Sequence, residues 1–390
     1  MAAEHSSLFT RAFVGLMLAE FAYFLCVGLT FQVLPPWVDG PVGSDKAGAG
    51  LAVGAFGITA LLLRPWIGRI TDSGGRRPVL MAGSVLALVS IAMLTVVDTL
   101  PLIVVARLIA GIGEAAFAVA SITALIDLAP ADKIGAALSY NSMGLYLGLA
   151  LGPQLGEWAV GHSGPQFAFQ VGAALTAVSV AIVALAVPET MTHPSTEPTP
   201  LIHRASLPIA LAFLANLIGA GGFLAFASLR ADEIDLSRAG LVLLVYGGVV
   251  IAWRLTTAQV VDRIPPLRLG TFALLASAAG LFLGSATDSG LGLVLGGALV
   301  ATGVAFSTPA FFAAAFTTAG PSERGAISGT MMATIDLSFG FGPMLLGLIS
   351  NASGIPTAWT VAAIIGLLGA AWTVALDLRQ TGRSSASTMR

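Results

Sequence analysis

Long apolar runs, broken by short clusters of charge, Pro and Gly, follow one another along the whole chain. They predict twelve helices, near residues 12–35, 48–70, 78–97, 101–126, 135–160, 167–187, 207–229, 240–262, 269–287, 290–316, 326–350 and 356–377. Each run is long enough to cross a hydrocarbon core of about 30 Å, so each reads as a transmembrane span. The first run is too long for a signal-peptide core, has no small-residue cleavage site and contains Glu20, so it is expected to be retained. The one long polar stretch between spans, Pro188–Ser206, is rich in Pro, Ser and Thr and reads as an extended linker. The expected organisation is a six-helix bundle over 1–187, a cytoplasmic linker over 188–206, a second six-helix bundle over 207–378 and a cytoplasmic tail over 379–390.

Composition makes lipid the solvent. Charged residues are only 10% of the 390 and apolar residues 56%, with a mean hydropathy of +0.90. A soluble domain carries about 25% charged residues. A net charge of −2 gives no basic field for nucleic acid. The single Cys26 and four scattered histidines offer neither a disulfide framework nor metal-ligand spacing, and no phosphate-binding glycine loop occurs. No enzyme chemistry and no cofactor are therefore expected.

The basic residues set the orientation. Twelve of the 18 (Arg11, Arg69, Arg76, Arg77, Lys133, Arg204, Arg263, Arg268, Arg324, Arg379, Arg383 and Arg390) fall on the termini and the even-numbered connections. Only Lys46, Arg230 and Arg238 fall on the opposite side. The positive-inside bias places both termini in the cytoplasm of a cell (inner) membrane.

Sliding the chain on itself by 190 residues aligns Arg64 with Arg254, Asp72 with Asp262, Gly113 with Gly303, Gly135 with Gly325, and Gly152-Pro153 with Gly342-Pro343. Parallel six-span repeats mark transporters whose site lies at the repeat interface near mid-membrane. Residues 68–77, GRITDSGGRR, fill every defining position of G-x-x-x-D-x-x-G-R-[RK]: Gly68, Asp72, Gly75, Arg76 and Arg77. Arg107-x-x-x-Gly111-x-Gly113 follows in the fourth span, and Gly148-x-x-x-Gly152-Pro153-x-x-Gly156, preceded by Gly144, in the fifth. Leu34-Pro35-Pro36-Trp37 ends the first.

On these motifs the chain resembles the major facilitator superfamily over its whole length, and within it the twelve-span drug:proton antiporters. The resemblance implies an all-α integral membrane fold of two six-helix pseudo-repeats. It further implies that the fifth-span glycines join the two halves and favour exchange; Glu157, where a second glycine is common, departs from that pattern. Physically, Asp72 beside Arg76 and Arg77 can cap a neighbouring helix and act as a cytoplasmic latch. The glycines, four residues apart, make a smooth stripe for close helix approach, which by itself is a packing seam.

Mid-membrane charge points to chemistry, because each such group costs about 2.5–3.5 kcal/mol on the mildest scale. Glu20, Glu114 and Asp336 lie at similar depth on three helices. Arg107 and Glu114, seven residues apart, share one helix face about 10.5 Å apart along the axis. Glu20 and Glu114 are expected to carry protons with Arg107 modulating them, the alternative being a fixed ion pair. Asp336 is expected either to bind substrate or a second proton, or to hydrogen-bond between helices. Arg64 and Arg254 are expected to snorkel to headgroups. Tyr23, Gln32, Asn141, Tyr146, Asn216 and Tyr246 are candidates for lining a cavity. The expected activity is export of a small hydrophobic or amphipathic organic compound in exchange for protons, by a monomer driven by the proton gradient. A proton symporter or facilitator, a lipid flippase and a non-transporting scaffold are the alternatives.

Overall fold

A computed structural model of the chain describes residues 8–130, 134–191, 202–236, 238–261, 264–318 and 324–388. Twelve α-helices follow one another: α1 (Arg11–Asp39), α2 (Lys46–Gly74), α3 (Arg76–Met93), α4 (Leu100–Leu128), α5 (Ile134–Ser163), α6 (Pro165–Ala186), α7 (Leu207–Glu233), α8 (Gly240–Val261), α9 (Pro266–Ala286), α10 (Gly290–Phe316), α11 (Arg324–Ser353) and α12 (Ile355–Thr388). Among the described residues there is no strand. Among the described residues, eleven helices are long and apolar enough to cross a membrane. The fold is an all-α integral membrane fold.

Local chemistry sets the helix ends. Thr10 Oγ1 accepts from Phe13 N–H (3.2 Å) at the start of α1, and Ser289 Oγ from Gly292 N–H (3.1 Å) at the start of α10. Proline stands in the first turn of α4, α6, α7 and α9, where its missing N–H costs nothing. Gly164 (φ +85°) turns α5 into α6, and Gly354 (φ +86°) turns α11 into α12, again 190 positions on. Several helices outrun their expected ends, α1, α2 and α7 by about one turn and α12 by about three. Helix α1 passes through Pro35 and Pro36 to Asp39, with Gly40 N–H bonded to Pro36 O (2.9 Å), and α12 continues to Thr388 through what reads as a tail.

The chain forms two compact units, one of residues 1–43 and 55–198, the other of residues 44–54 and 199–390. The first has a core of Phe13, Leu16, Tyr23, Leu80, Phe117 and Val183, and the second one of Phe213, Leu274, Phe311, Ile327 and Met331. Leu18, Leu62, Leu185, Leu211, Leu291 and Leu368 stay exposed, as side chains facing lipid must.

Hydrocarbon supplies no hydrophobic drive between helices, so they associate through close backbone approach at small residues. In the first unit a Cβ on Gly113 would lie 2.9 Å from Gly83 O and Ala87 N. In the second, a Cβ on Gly303 would meet Ala273 O and Ser277, the residues at the same offset. Likewise Gly152 packs on Gly28 and Leu29, and Gly342 on Ile218, the counterpart of Gly28. The repeat seen in sequence is thus a repeat of packing.

The α5 glycines lie against α1, inside the first unit. A Cβ on Gly148 would be 2.7 Å from Phe24, one on Gly152 2.7 Å from Leu29 N, and one on Gly156 3.0 Å from Val33. Gly144 faces Met17 O, and Pro153 packs on Gly28. The seam expected to join the halves is, at these positions, an α1–α5 seam, because the partner backbone is that of Phe24, Leu25 and Leu29. Gly152→Val is expected to destabilise the protein by about 2–3 kcal/mol through overpacking, whereas Gly161→Ala, which meets no atom within 4 Å, is neutral. Thermal unfolding in detergent, read by tryptophan fluorescence, checks both.

Candidate functional site

The first unit holds a cluster of charge within its bundle, and glycine geometry places it. Gly111 lets the α4 backbone lie on Phe56 and Thr59 of α2, and Thr59 Oγ1 donates to Leu108 O (2.7 Å). That contact sets two further pairs. The Arg107 guanidinium lies over the Phe56 ring, 5.2 Å from its centroid. One and a half turns further along α2, Arg64 Nη2 donates to both oxygens of Glu114, at 3.0 and 3.4 Å. Arg64 therefore does not snorkel: a guanidinium inside a bundle is better compensated by a carboxylate on the next helix than by a long reach to headgroups. Glu114 takes its bridge from α2, across the helix boundary.

Glu20 sits in α1 and is buried. Its Oε1 accepts from Ser121 Oγ of α4 at 2.6 Å. Its Oε2 has no hydrogen-bond partner among the described residues. Ser179 of α6 donates to Ala19 O (2.8 Å) and fixes α1 beside it, while the neighbouring Tyr23 stacks flat on Phe117 at 4.2 Å. Asn141 of α5 is buried; its side chain hydrogen-bonds to Glu20 while its Oδ1 has no partner among the described residues. Glu20, Ser121, Arg64, Glu114, Arg107 and Phe56 thus belong to one bundle, on α1, α2 and α4.

In the second unit the matching positions carry different residues. Asp336 is buried on α11, and Asn216 on α7 is buried with both amide atoms unpartnered among the described residues. Arg254 keeps the place of Arg64, but the position equivalent to Glu114 is Val304. Of the cavity candidates, Tyr23, Gln32, Asn141, Asn216 and Tyr246 are buried, Tyr246 with its ring alongside Phe223 at 6.0 Å; Tyr146 is half-buried.

The loop motif takes a form that the sequence reading missed. Gly75 precedes α3 with φ +105°, a conformation open to glycine, and a Cβ there would lie 2.6 Å from Glu189 Oε2. Glu189 caps α3: its carboxylate accepts from the N–H groups of Arg76 (3.0 Å) and Arg77 (3.2 Å). It also accepts from Thr190 N–H (2.9 Å) and Met191 N–H (2.8 Å). Asp72, the expected cap, is half-exposed, 3.8 Å from Arg76. Arg76 Nε instead pairs with Asp127 at the end of α4 (3.1 Å), its Nη1 donates to Thr71 O (2.9 Å), and Thr190 Oγ1 also donates to Asp127 (2.9 Å). Arg77 Nη2 donates to Ala184 O (2.7 Å), and Gly68 meets nothing within 4 Å. The polar Pro-Glu-Thr after the sixth span was the available signal for Glu189. The second-half counterparts Asp262 and Arg263, and Lys133, lie outside the described residues.

The sequence model of the Major Facilitator Superfamily matches residues 16–343 and 209–389. The chain belongs to the Major Facilitator Superfamily. An MFS-type transporter of Pseudomonas aeruginosa strain UCBPP-PA14 is 29% identical over 389 residues, covering 95% of this chain and 94% of that protein. One of Salmonella typhimurium strain LT2 is 28% identical over 373 residues, covering 93% and 95%. The nucleoside transporter NupG shares the fold at a TM-score of 0.79 and 15% identity, covering 93% of this chain and 99% of that one. A bacterial homologue of the human lysosomal transporter Spinster does so at 0.77 and 14%, covering 94% and 96%. This member of the superfamily is accordingly a multi-pass membrane transporter of a small molecule, and not an enzyme.

Partial burial pushes the Glu189 carboxyl up, but its four backbone N–H donors outweigh this and hold it below the usual carboxylate range. A lowered folded value means the cap stabilises fully above the unfolded carboxylate value of about 4.3 and fades as pH falls through the folded one. Glu189→Gln is expected to lower the melting temperature by a constant amount from neutral pH to about pH 5, with the gap to wild type closing below about pH 4.3. Gly75→Ala, which strains the turn and displaces Glu189, should lower it at every pH. A melting series in detergent across this range checks both.

Proposed function

We propose that this transporter exports a small hydrophobic or amphipathic organic compound in exchange for protons, with Glu20 as the proton carrier. The carrying observation is the difference between the two carboxylates of the first unit. Glu114 shares both oxygens with the Arg64 guanidinium, whereas Glu20 is held by neutral donors, the Ser121 hydroxyl and the Asn141 amide. A carboxyl held by neutral groups takes a proton without breaking an ion pair. Arg107 and the Arg64–Glu114 bridge lie on neighbouring helices and supply the field through which that proton is felt by a bound substrate. Asp336 is the corresponding acid of the second unit, as substrate contact or second proton site.

Exchange is favoured by the resemblance of the α5 glycine series to that of antiporters, and export by the Leu34-Pro35-Pro36-Trp37 end of α1. The positive-inside distribution places both termini in the cytoplasm of the inner membrane. The proton gradient is the energy source, no cofactor is used, and the working unit is a monomer.

Proton movement in proteoliposomes enclosing a pH-sensitive dye, with cationic, neutral and anionic amphipathic compounds added in turn, tests this reading. Substrate-dependent proton flux opposite to the substrate's own movement is expected, falling at least about a hundredfold in Glu20→Gln, the lower end for loss of a proton-transfer group. Glu114→Gln should instead weaken folding by leaving Arg64 without its bridge, which a melting curve separates from loss of coupling. Flux in the same direction as the substrate makes the protein a symporter. Wild-type flux in Glu20→Gln removes Glu20 from the mechanism.

A further inference from the structure

The turn of α1 that carries Glu20 is packed on α5 by a glycine contact that does not involve the carboxylate. A Cβ on Gly144 would lie 3.3 Å from Met17 O and 3.8 Å from Phe21 N, residues just before and just after Glu20. Asn141, three positions before Gly144, shares its face of α5, and its side chain hydrogen-bonds to Glu20. From α4, Ser121 Oγ donates to Glu20 Oε1 at 2.6 Å. The three helices lie within the first unit.

Two acceptor atoms are left over in this group. Glu20 Oε2 and Asn141 Oδ1 are both buried and have no hydrogen-bond partner among the described residues. An amide serves a carboxylate only through its N–H, so Asn141 Nδ2 is the donor and its oxygen is the idle atom. Each buried acceptor without a donor is costly. One proton removes both faults. Bound at Glu20 Oε2, it makes a neutral acid whose O–H donates to Asn141 Oδ1, while Nδ2 goes on donating to the acid carbonyl. Acid and amide then share two hydrogen bonds in a ring. The charged groups on the helices packed against α1 stand apart from this ring. Glu114, about two turns along α4 from Ser121, is bridged to Arg64, and Asp127, about as far the other way, holds Arg76. Arg107 lies about four turns from Ser121, over Phe56, and Glu157 about four turns from Asn141 along α5.

We propose that Asn141 is the positioning residue of the proton site: it closes a ring of two hydrogen bonds with protonated Glu20 and keeps one bond and an idle oxygen when the proton leaves, so that α5 feels the proton through a neutral amide. This rests on the reading of Glu20 as proton carrier. Infrared difference spectra of the protein in lipid, between acid and alkaline pH, test it without substrate. A carboxyl C=O band that Glu20→Gln removes reports the proton on Glu20. The chain has three asparagines, Asn141, Asn216 and Asn351. With isotope-labelled asparagine, one side-chain amide band is expected to shift over the same pH interval, and to stay still in Glu20→Gln. In Asn141→Leu that shift disappears, and the carboxyl band moves to higher frequency, as for an acid without its acceptor. Substrate-driven proton flux in this variant falls about two- to tenfold, the weight of one hydrogen bond. A Glu20 band whose titration moves no asparagine amide overturns the ring and leaves Glu20 as the carrier. The absence of any carboxyl band lost in Glu20→Gln removes Glu20, and Asn141 with it. The labelled spectrum of the unaltered sequence decides even where Asn141→Leu folds poorly.

Discussion

In lipid, helices gain little from burying apolar surface against one another, and their association depends on how closely backbones can approach. That constraint underlies the rest of this structure. Gly111 brings α4 onto α2 closely enough for Thr59 to reach Leu108 O, and this fixes the spacing at which Arg64 meets Glu114 and Arg107 covers Phe56. Gly148 and Gly152 bring α5 onto α1 around Phe24 and Leu29, a little more than a turn beyond Glu20. Larger residues at these points would separate the charges from their partners before any clash was felt at the site itself.

The repeat shows how a shared skeleton carries different chemistry. Gly113 on Gly83 and Ala87 has its counterpart in Gly303 on Ala273 and Ser277, and Gly152 on Gly28 in Gly342 on Ile218. Charge does not follow: Arg64 has Glu114 opposite it, whereas Arg254 has Val304 at the matching position. Packing positions are tied to backbone geometry that both halves need.

Both ends of α2 are held by ion pairs. At its second end, Glu189 converts a glycine turn into a capped helix start, and Asp127 holds Arg76, so the ends of α2, α3, α4 and α6 are joined within the first unit. At its first end the partners are Glu233 and, behind it, Arg230. Between these ends the helix carries the Arg64–Glu114 bridge, partly buried within the first unit.

Much of this was legible in the sequence. Apolar runs of membrane length gave twelve helices with ends within a few residues, except α12, because in lipid a span must satisfy its own backbone and so must be helical. The 190-residue offset and the loop motif identified the family, because both are local patterns of small and charged residues. Partner choice was not legible. Arg64 pairs with Glu114 fifty positions away, Glu189 with the amides of Arg76 and Arg77, and Ser121 with Glu20, and no spacing rule reaches across helices. The sequence by itself determined that these charges lie in or beside a membrane; only the tertiary structure decided which of them are spent on one another, because that depends on which helix faces touch.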